Sequence, residues 1–281
     1  MNLRNVLLAS LCLIGVTTLA SCNNTTAAGL TTEGVLVVGM ECAYAPFNWT
    51  ETEATDSNFE IENLPGAYAE GYDVQVAKIL AEELGLQLQI KALEWGALIN
   101  NLNTGGIDAI IAGMSPTAER LEAIDFTSAY YESTHVLLVQ KSSSYASATT
   151  LDGFAGATVI GQIGTIYADL VPQTVEHGAI AGNDLSTVPL ILQAILNGTA
   201  DATILEEPVA MGICSQYDNL TYVKLTDGFE VAEEDKIVSI GVRKGFTLLE
   251  DMNNVLNTKV TKTVRDALMQ AAIENAPSEE E

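Results

Sequence analysis

The sequence predicts an α/β protein made of two lobes that are joined by two chain crossings. A chain of 281 residues with 48% hydrophobic residues is long enough to bury two cores. Short apolar runs alternate with segments of helical periodicity, and the order strand, helix, strand is typical of βαβ units. Two distant stretches also repeat one pattern of helix, glycine turn and strand, which indicates two similar units.

The first 21 residues predict a secretory signal peptide of the lipoprotein type. One positive charge at Arg4 precedes the apolar run 6–16, and Leu19-Ala20-Ser21-Cys22 matches a bacterial lipobox. Cys22 would supply the thiol that takes the lipid, and cleavage without lipid addition is the alternative. Residues 22–32 are rich in small polar side chains and predict a flexible tether.

The first lobe is predicted to begin with a βαβ unit. Residues 35–39 form a short apolar run typical of a buried strand, and a helix starts at 71–73. Gly85 ends that helix, and alternating residues over 86–90 predict the next strand. Residues 51–70 are acidic and rich in turn formers without a clear period, so they predict a surface loop.

The repeated pattern predicts where a ligand site lies. A helix over 98–102 and a strand over 107–111 match a helix over 190–196 and a strand over 200–204, each pair joined by a glycine turn. Both strands end in polar residues just before a helix begins. In open α/β sheets, ligands bind outside the carboxyl ends of the strands, so two half-sites are expected between the lobes.

Two breaks in the sequence predict the lobe boundaries. Residues 141–150 are rich in Ser and Thr, and an apolar strand over 236–242 marks the return of the chain. We expect lobe 1 to comprise residues 33–134 and 239–281, and lobe 2 to comprise residues 135–238. Two crossings of this kind form a hinge. Two helical patterns follow the return, over 246–256 and 259–274.

Composition excludes several classes of function. The formal net charge of -25, with no run among the 12 Lys and Arg residues, argues against nucleic-acid binding. Cys42 and Cys214 are the cysteines left for the folded part, with His135 and His177 as the imidazoles, so neither a metal site nor a disulfide framework is expected. Phosphate-binding, dinucleotide-binding and nucleophile-elbow motifs are missing from the sequence, and no cofactor is expected.

Residues 112–120 are the most informative stretch for binding. We expect Ser115 to cap a helix that starts at Pro116, so that backbone N–H groups at 113–117 face an anion. Arg120 then adds a bidentate clamp on a carboxylate. The alternative is an ordinary helix start with an exposed arginine.

Two further stretches place carboxylates near the predicted cleft. Glu206 and Glu207 end the second repeated strand, and because side chains alternate along a strand, one carboxylate can hold an ammonium in the cleft. The alternative is two solvated loop acids. Residues 41–49 put a carboxylate and three aromatic rings after the first strand, which is a suitable wall for an apolar or cationic group. Two of the three rings are expected to serve the core.

Taken together, these residues resemble the amino-acid-binding branch of the bacterial extracellular solute-binding proteins that feed ABC importers. The resemblance covers residues 35–242 and depends on the order and spacing of its motifs. These motifs are Tyr44-Ala45-Pro46-Phe47, Gly71-Tyr72-Asp73-Val74, Trp95 with Leu98-Ile99, residues 107–114, residues 117–120, residues 124–127 with Tyr130-Tyr131, and Ala200-Asp201-Ala202. The resemblance implies a periplasmic-binding-protein-like fold, with two lobes of mixed sheet flanked by helices and joined by a two-strand hinge.

The resemblance also implies a role for each of nine residues. Arg120 grips the α-carboxylate of a ligand, helped by Gly113, Ser115 and Thr165, and Glu206 holds the α-ammonium. The ligand side chain meets Tyr44 and Trp95 on its two faces, Glu41 at its far end, and Gln162 at another contact. Ile166 stands where relatives often have Gly or a small polar residue, so its contact is an open question.

The function implied by the resemblance is that of a monomeric, lipid-anchored substrate-binding protein of an ABC amino-acid importer. It binds a free amino acid, presents it to permease subunits, and lies at the bacterial cell surface or in the periplasm without catalytic residues. Basic amino acids are favoured and polar neutral ones come next, whereas glutamate is rejected by Glu41. The alternatives are a periplasmic-type dehydratase that acts on a small carboxylic acid, and a sensor domain.

Overall fold

The computed structural model describes residues 29–277. The predicted signal peptide, the lipidation site Cys22 and most of the tether lie outside these residues. The strands are β1 (Val35–Met40), β2 (Ala43–Tyr44), β3 (Asn48–Glu51), β4 (Phe59–Glu60), β5 (Tyr68–Glu70), β6 (Gln87–Ala92), β7 (Ala109–Ile110), β8 (Asp125–Glu132), β9 (His135–Gln140), β10 (Thr158–Ile160), β11 (Ile180–Ala181), β12 (Ala202–Glu206), β13 (Leu220–Val223) and β14 (Ile237–Val242). The α-helices are α1 (Tyr72–Glu83), α2 (Leu98–Asn103), α3 (Ala118–Ala123), α4 (Ile166–Glu176), α5 (Val188–Leu196), α6 (Glu207–Gln216), α7 (Leu249–Thr258) and α8 (Lys262–Asn275).

Two five-stranded mixed sheets of the same layout form the centres of the two lobes. Their strand orders are β6-β1-β7-β14-β8 and β11-β10-β12-β9-β13. In each sheet the first three strands are parallel, and the last two are added in antiparallel pairings. Strands β7 and β12, which end the two repeated sequence patterns, occupy equivalent central places. The predicted two-lobe α/β architecture with mixed sheets is therefore confirmed.

The chain crosses between the two sheets along two neighbouring segments. Strand β8 ends at Glu132 in the first sheet, and β9 starts at His135 in the second. The return segment reaches the first sheet at Ile237, which pairs with Glu132. The amide of Ser133 donates a hydrogen bond of 3.0 Å to the carbonyl of Lys236. The two crossing segments therefore lie side by side.

The segment 51–70 is not the plain surface loop that the sequence predicts. It contributes to a small four-stranded antiparallel sheet in the order β2-β3-β5-β4. Residues Trp49, Thr50 and Glu51 pair with Glu70, Ala69 and Tyr68. These strands are two to four residues long, so they are too short for an alternating pattern to appear in the sequence.

Helix α1 follows the predicted pattern and packs one face on the first sheet. Val76, Ala77 and Leu80 are fully buried on that face. The helix ends before Gly85, which adopts a left-handed backbone with φ of 67° that costs glycine little. No helix within residues 29–277 is long and apolar enough to cross a membrane.

Candidate ligand-binding site between the lobes

Most of the predicted site residues lie at or just beyond the carboxyl ends of four parallel strands, two in each sheet, whereas Trp95 follows β6 and Arg120 lies in α3. Strand β1 leads into Glu41 and Tyr44, and β7 leads into Gly113 and Ser115. In the second lobe, β10 leads into Gln162 and Thr165, and β12 ends at Glu206. Because these strand ends face each other across the lobes, segments distant in sequence meet at one place.

A small cavity of about 20 Å³ marks this meeting place. Its lining consists of Glu41, Tyr44, Trp95, Gly113, Ser115, Arg120, Gln162, Thr165, Ile166 and Tyr167. Eight of the nine predicted site residues are in this lining, and the ninth, Glu206, contacts Tyr44 directly. A space of this size holds about one water molecule, so an amino acid can enter only when the lobes or their side chains move apart.

Arg120 reaches across the cavity from lobe 1. Its guanidinium donates 2.9 Å to the carbonyl of Ser115 and 3.2 Å to the carbonyl of Gly164 in lobe 2. It also covers the ring of Trp95, with 5.1 Å between the guanidinium carbon and the ring centroid. Burial lowers the pKa of Arg120 from its usual value. No carboxylate among residues 29–277 lies within 4.0 Å of it, so its charge is free to meet an anion.

The helix that carries Arg120 begins later than predicted. Thr117, not Ser115, is the N-cap: its hydroxyl accepts a hydrogen bond of 3.3 Å from the amide of Arg120. Two N–H groups of the predicted free row have protein acceptors, because the amide of Gly113 donates to the hydroxyl of Tyr130 and the amide of Thr117 donates to the carbonyl of Ser115. Helix α3 has only six residues, and Arg120 contributes the one guanidinium in the lining of the small cavity.

Glu206 is a buried acid from lobe 2, only 2% exposed. Tyr44 donates its hydroxyl hydrogen to Oε2 of Glu206, whereas Oε1 has no hydrogen-bond partner among the described residues. Burial raises the pKa of Glu206 to about 8. Glu207 points elsewhere and pairs with Lys224 at 2.7 Å, so the two adjacent carboxylates do diverge. The oxygen of Glu206 without a partner is suited to accept from a buried cation.

Glu41 and Gln162 close the other end of the cavity. The amide nitrogen of Gln162 donates to both carboxylate oxygens of Glu41, each at 3.1 Å, and to the carbonyl of Ser186 at 3.0 Å. Burial raises the pKa of Glu41 to about 7, while the bonds from Gln162 oppose that rise and the charge of Glu94 adds to it. The neutral side-chain amide of Gln162 in lobe 2 is thus hydrogen-bonded to the carboxylate of Glu41 in lobe 1.

The aromatic residues divide between the cavity and the core. Tyr44 lines the cavity and stacks on Phe47 with 5.6 Å between ring centroids, while Phe47 and Trp49 are buried in the core. Trp95 lines the opposite side, and its indole nitrogen donates 2.8 Å to the carbonyl of Gly164. Tyr44 and Trp95 therefore present two rings to the same small space.

The remaining predicted residues have local partners. The hydroxyl of Thr165 accepts from the amide of Tyr167 and donates to the carbonyl of Gln162, so it caps helix α4. Ser115 donates to the carbonyl of Asp235 at 3.4 Å. Ile166 does line the cavity, beside Tyr167, which sequence reasoning missed. Tyr167 stands two residues after Thr165 in the first turn of α4, and that position was its only signal.

A larger cavity of about 760 Å³ opens beside the small one. It shares Trp95, Arg120 and Ile166 with the small cavity, so the two spaces are neighbours at one mouth between the lobes. Its lining contains six carboxylates against one guanidinium: Glu94, Glu119, Asp169, Glu230, Glu234 and Asp235. The approach to the small cavity is therefore strongly acidic.

Known proteins of similar sequence span the same length of chain. The arginine-binding extracellular protein ArtP of Bacillus subtilis is 26% identical over 238 residues, which cover 85% of this chain and 86% of that protein. The glutamine-binding protein GlnH of an ABC transporter of the same organism is 26% identical over 227 residues, 79% of each chain. These two relatives carry names for different ligands.

A solved structure of an amino-acid-binding protein has a similar fold. An ancestral arginine-binding protein bound to arginine superimposes with a TM-score of 0.67 at 26% identity, covering 86% of this chain and 98% of that one. The profile of the family described as bacterial extracellular solute-binding proteins, family 3, matches residues 36–271. That match takes in both sheets and every residue placed at the cavity. The chain belongs to family 3 of the bacterial extracellular solute-binding proteins.

Proposed function

We propose that this protein is the substrate-binding component of an ABC amino-acid importer and that its lobes close on one free amino acid. The lobes follow the predicted division into residues 33–134 with 239–281 and residues 135–238, except that Ile237 and Val238 already pair with strand β8 of lobe 1. The observation that carries the proposal is the pair Arg120 and Glu206, which reach the cleft from opposite lobes without a charged partner among residues 29–277. A guanidinium and a buried carboxyl group that ionises when an ammonium enters fit the carboxylate and ammonium of a zwitterion.

In this closed state, each group proposed to hold the ligand is hydrogen-bonded to another protein group instead. Arg120 donates to two carbonyls where it would take the α-carboxylate. Glu206 accepts from Tyr44 where it would take the α-ammonium. The amide of Gln162 holds Glu41 where the end of the ligand side chain would lie. Ligand entry therefore exchanges weaker neutral partners for charge-assisted ones, without chemical conversion of the ligand.

A basic side chain is the favoured ligand class, with arginine, lysine and ornithine first. Glu41 offers a carboxylate at the far end of the cavity, and Tyr44 and Trp95 offer ring faces to a cation. The acidic mouth raises the local concentration of cations and repels anions. The relative named for arginine supports this order, and the one named for glutamine supports a polar neutral ligand as second choice.

We propose further that Cys22 carries a lipid that holds the protein on a bacterial membrane, at the cell surface or in the periplasm. The lipobox Leu19-Ala20-Ser21-Cys22 and the polar tether after it support this proposal. The protein would act as a monomer and deliver its amino acid to permease subunits. The extracellular character of the family is consistent with this placement.

A thermal-shift screen against the common amino acids, ornithine and cystine tests the proposed function. A ligand that binds only the native state raises the melting temperature, by an amount that grows with its concentration over Kd. We expect the largest shifts from arginine, lysine or ornithine, smaller ones from glutamine, and none from glutamate. A screen in which no amino acid raises the melting temperature would contradict the proposal.

A further inference from the structure

A buried carboxylate outside the cavity connects the two loops that form the lobe 1 side of the site. Asp73, in the first turn of α1, is 0% exposed. Its Oδ1 accepts 2.7 Å from the hydroxyl of Tyr130, and its Oδ2 accepts 2.7 Å from the amide nitrogen of Asn48. Burial raises the pKa of Asp73 to about 6, so the carboxyl is ionised at neutral pH and can accept from both donors.

Each of these two donors holds the backbone of one loop. The hydroxyl of Tyr130 accepts 3.1 Å from the amide of Gly113. The side-chain oxygen of Asn48 accepts 2.7 Å from the amide of Cys42. Gly113 itself lines the cavity, and Cys42 lies between Glu41 and Tyr44, which also line it. Four hydrogen bonds therefore run from one carboxylate to both loops.

Both anchored residues have a left-handed backbone, which glycine adopts readily and cysteine does not. Gly113 has a φ of 63°, and a Cβ atom there would meet the ring of Tyr44 at 3.0 Å. Cys42 has a φ of 56°, which is uncommon and strained for a residue other than glycine. The two bonds made by Tyr130 and Asn48 hold the amides of these residues in place.

The carboxylate is costly where it stands. Among residues 29–277 no cation lies within 4.0 Å of Asp73, so its charge is buried without an ion pair. A core position that served packing alone would be filled more favourably by an apolar side chain. We propose that Asp73 is a positioning residue of the ligand site: through Tyr130 and Asn48 it fixes the relative placement of the loops that carry Glu41, Tyr44 and Gly113. This inference rests on the proposed function.

Two variants separate the two arms of the network. Tyr130→Phe removes the hydroxyl through which Asp73 holds Gly113 and leaves the link through Asn48 in place. Asp73→Asn removes the charge and one of the two acceptor oxygens at the centre of the network, because the new amide nitrogen takes the place of one carboxylate oxygen, so the donor of either Asn48 or Tyr130 loses its acceptor. Tyr72→Phe is the matched control: its hydroxyl makes a buried hydrogen bond of 2.5 Å to the carbonyl of Tyr130 in the same cluster. The contacts of Tyr72 with Pro46 and Phe47 are made by its backbone amide and its ring, which phenylalanine keeps.

Calorimetric titration of the full chain with L-arginine, together with amide hydrogen exchange, tests the inference. Asp73→Asn and Tyr130→Phe should each weaken arginine binding about tenfold or more, the change expected when a buried hydrogen-bonding group loses its partner. Exchange should accelerate at the amide of Cys42 or of Gly113 in Asp73→Asn, according to which donor loses its acceptor, and at the amide of Gly113 in Tyr130→Phe. Tyr72→Phe should lose similar stability to urea but keep wild-type affinity within about twofold.

The outcomes distinguish this inference from the proposed function. If the wild-type protein binds arginine and both network variants bind it equally well, Asp73 is a structural residue only and the inference is wrong. Equal losses of affinity in Tyr72→Phe and the network variants would also overturn it, since the effect would then follow stability. If the wild-type protein binds no amino acid, the proposed function fails, and unchanged exchange at Cys42 and Gly113 would overturn the loop-holding role as well.

Discussion

Replacing Arg120 by alanine removes the group that we assign to the ligand carboxylate. In the closed structure its guanidinium donates to carbonyls at 2.9 and 3.2 Å and lies 5.1 Å from the centroid of Trp95. Truncating one partner of a desolvated, hydrogen-bonded charge pair costs about 2–5 kcal/mol. Because Arg120 keeps some exposure, we expect the lower part of that range, which is about 30-fold or more in Kd.

Isothermal titration with L-arginine measures this loss directly. Arg120→Lys keeps the positive charge but lacks the planar fork, so its affinity should fall between those of the wild type and Arg120→Ala. Arg265→Ala is the matched control, because Arg265 lies in a groove behind the hinge and donates 2.7 Å to the carbonyl of Val260. Wild-type affinity in Arg120→Ala would refute the role assigned to this arginine.

Three further predictions follow from the site and the leader sequence. Glu41→Gln should reduce the affinity for arginine about tenfold relative to glutamine in competition titrations, because a charge-assisted bond is lost only with the cationic ligand; an unchanged ratio would contradict the placement of Glu41. Burial raises the pKa of Glu206 from 4.5 to about 8. The native state therefore binds the proton of Glu206 more tightly than the unfolded state does. This proton stabilises the protein at low pH, and the stabilisation is lost as the pH rises from 4.5 to about 8. The unfolding free energy of Glu206→Gln should therefore fall less steeply with pH than that of the wild type, by up to about 1.4 kcal/mol per pH unit in urea titrations without ligand. Parallel pH profiles for the variant and the wild type would contradict the raised pKa. Cys22→Ala should abolish metabolic labelling with palmitate and release the protein from the membrane fraction, or leave unprocessed precursor, whereas unchanged labelling would exclude Cys22 as the lipidation site.

The parts of the fold that repeat could be predicted from the sequence. Strands β7 and β12 are short apolar runs that follow a helix and a glycine turn, and both are buried parallel strands in the centre of a sheet. Their signal is strong because strands that are buried on both faces are mostly apolar. The position of the cleft could be predicted from the same strands, since the polar residues that follow them collect at the carboxyl edge of each sheet.

The parts that depend on pairing between distant segments could not be predicted. The small sheet built on Asn48–Glu51 has strands too short for a period, and its partners lie about twenty residues away. Ser115 and Thr117 are both good caps, and only the backbone path of the loop decides that Thr117 accepts from Arg120. The bond between Asp73 and Tyr130 joins residues 57 positions apart, so the sequence motif around each gives no sign of it.

Calorimetric titration of the wild-type protein with L-arginine, repeated with L-glutamine and L-glutamate as competitors, tests the central claim most directly. If Arg120 and Glu206 hold a zwitterion and Glu41 meets its side chain, arginine should bind at one site per chain, glutamine should bind more weakly, and glutamate should not compete. Glutamate binding more tightly than both arginine and glutamine would contradict the placement of Glu41. The absence of binding heat with all three ligands, together with no shift in melting temperature for any amino acid, would contradict amino-acid binding in this cleft.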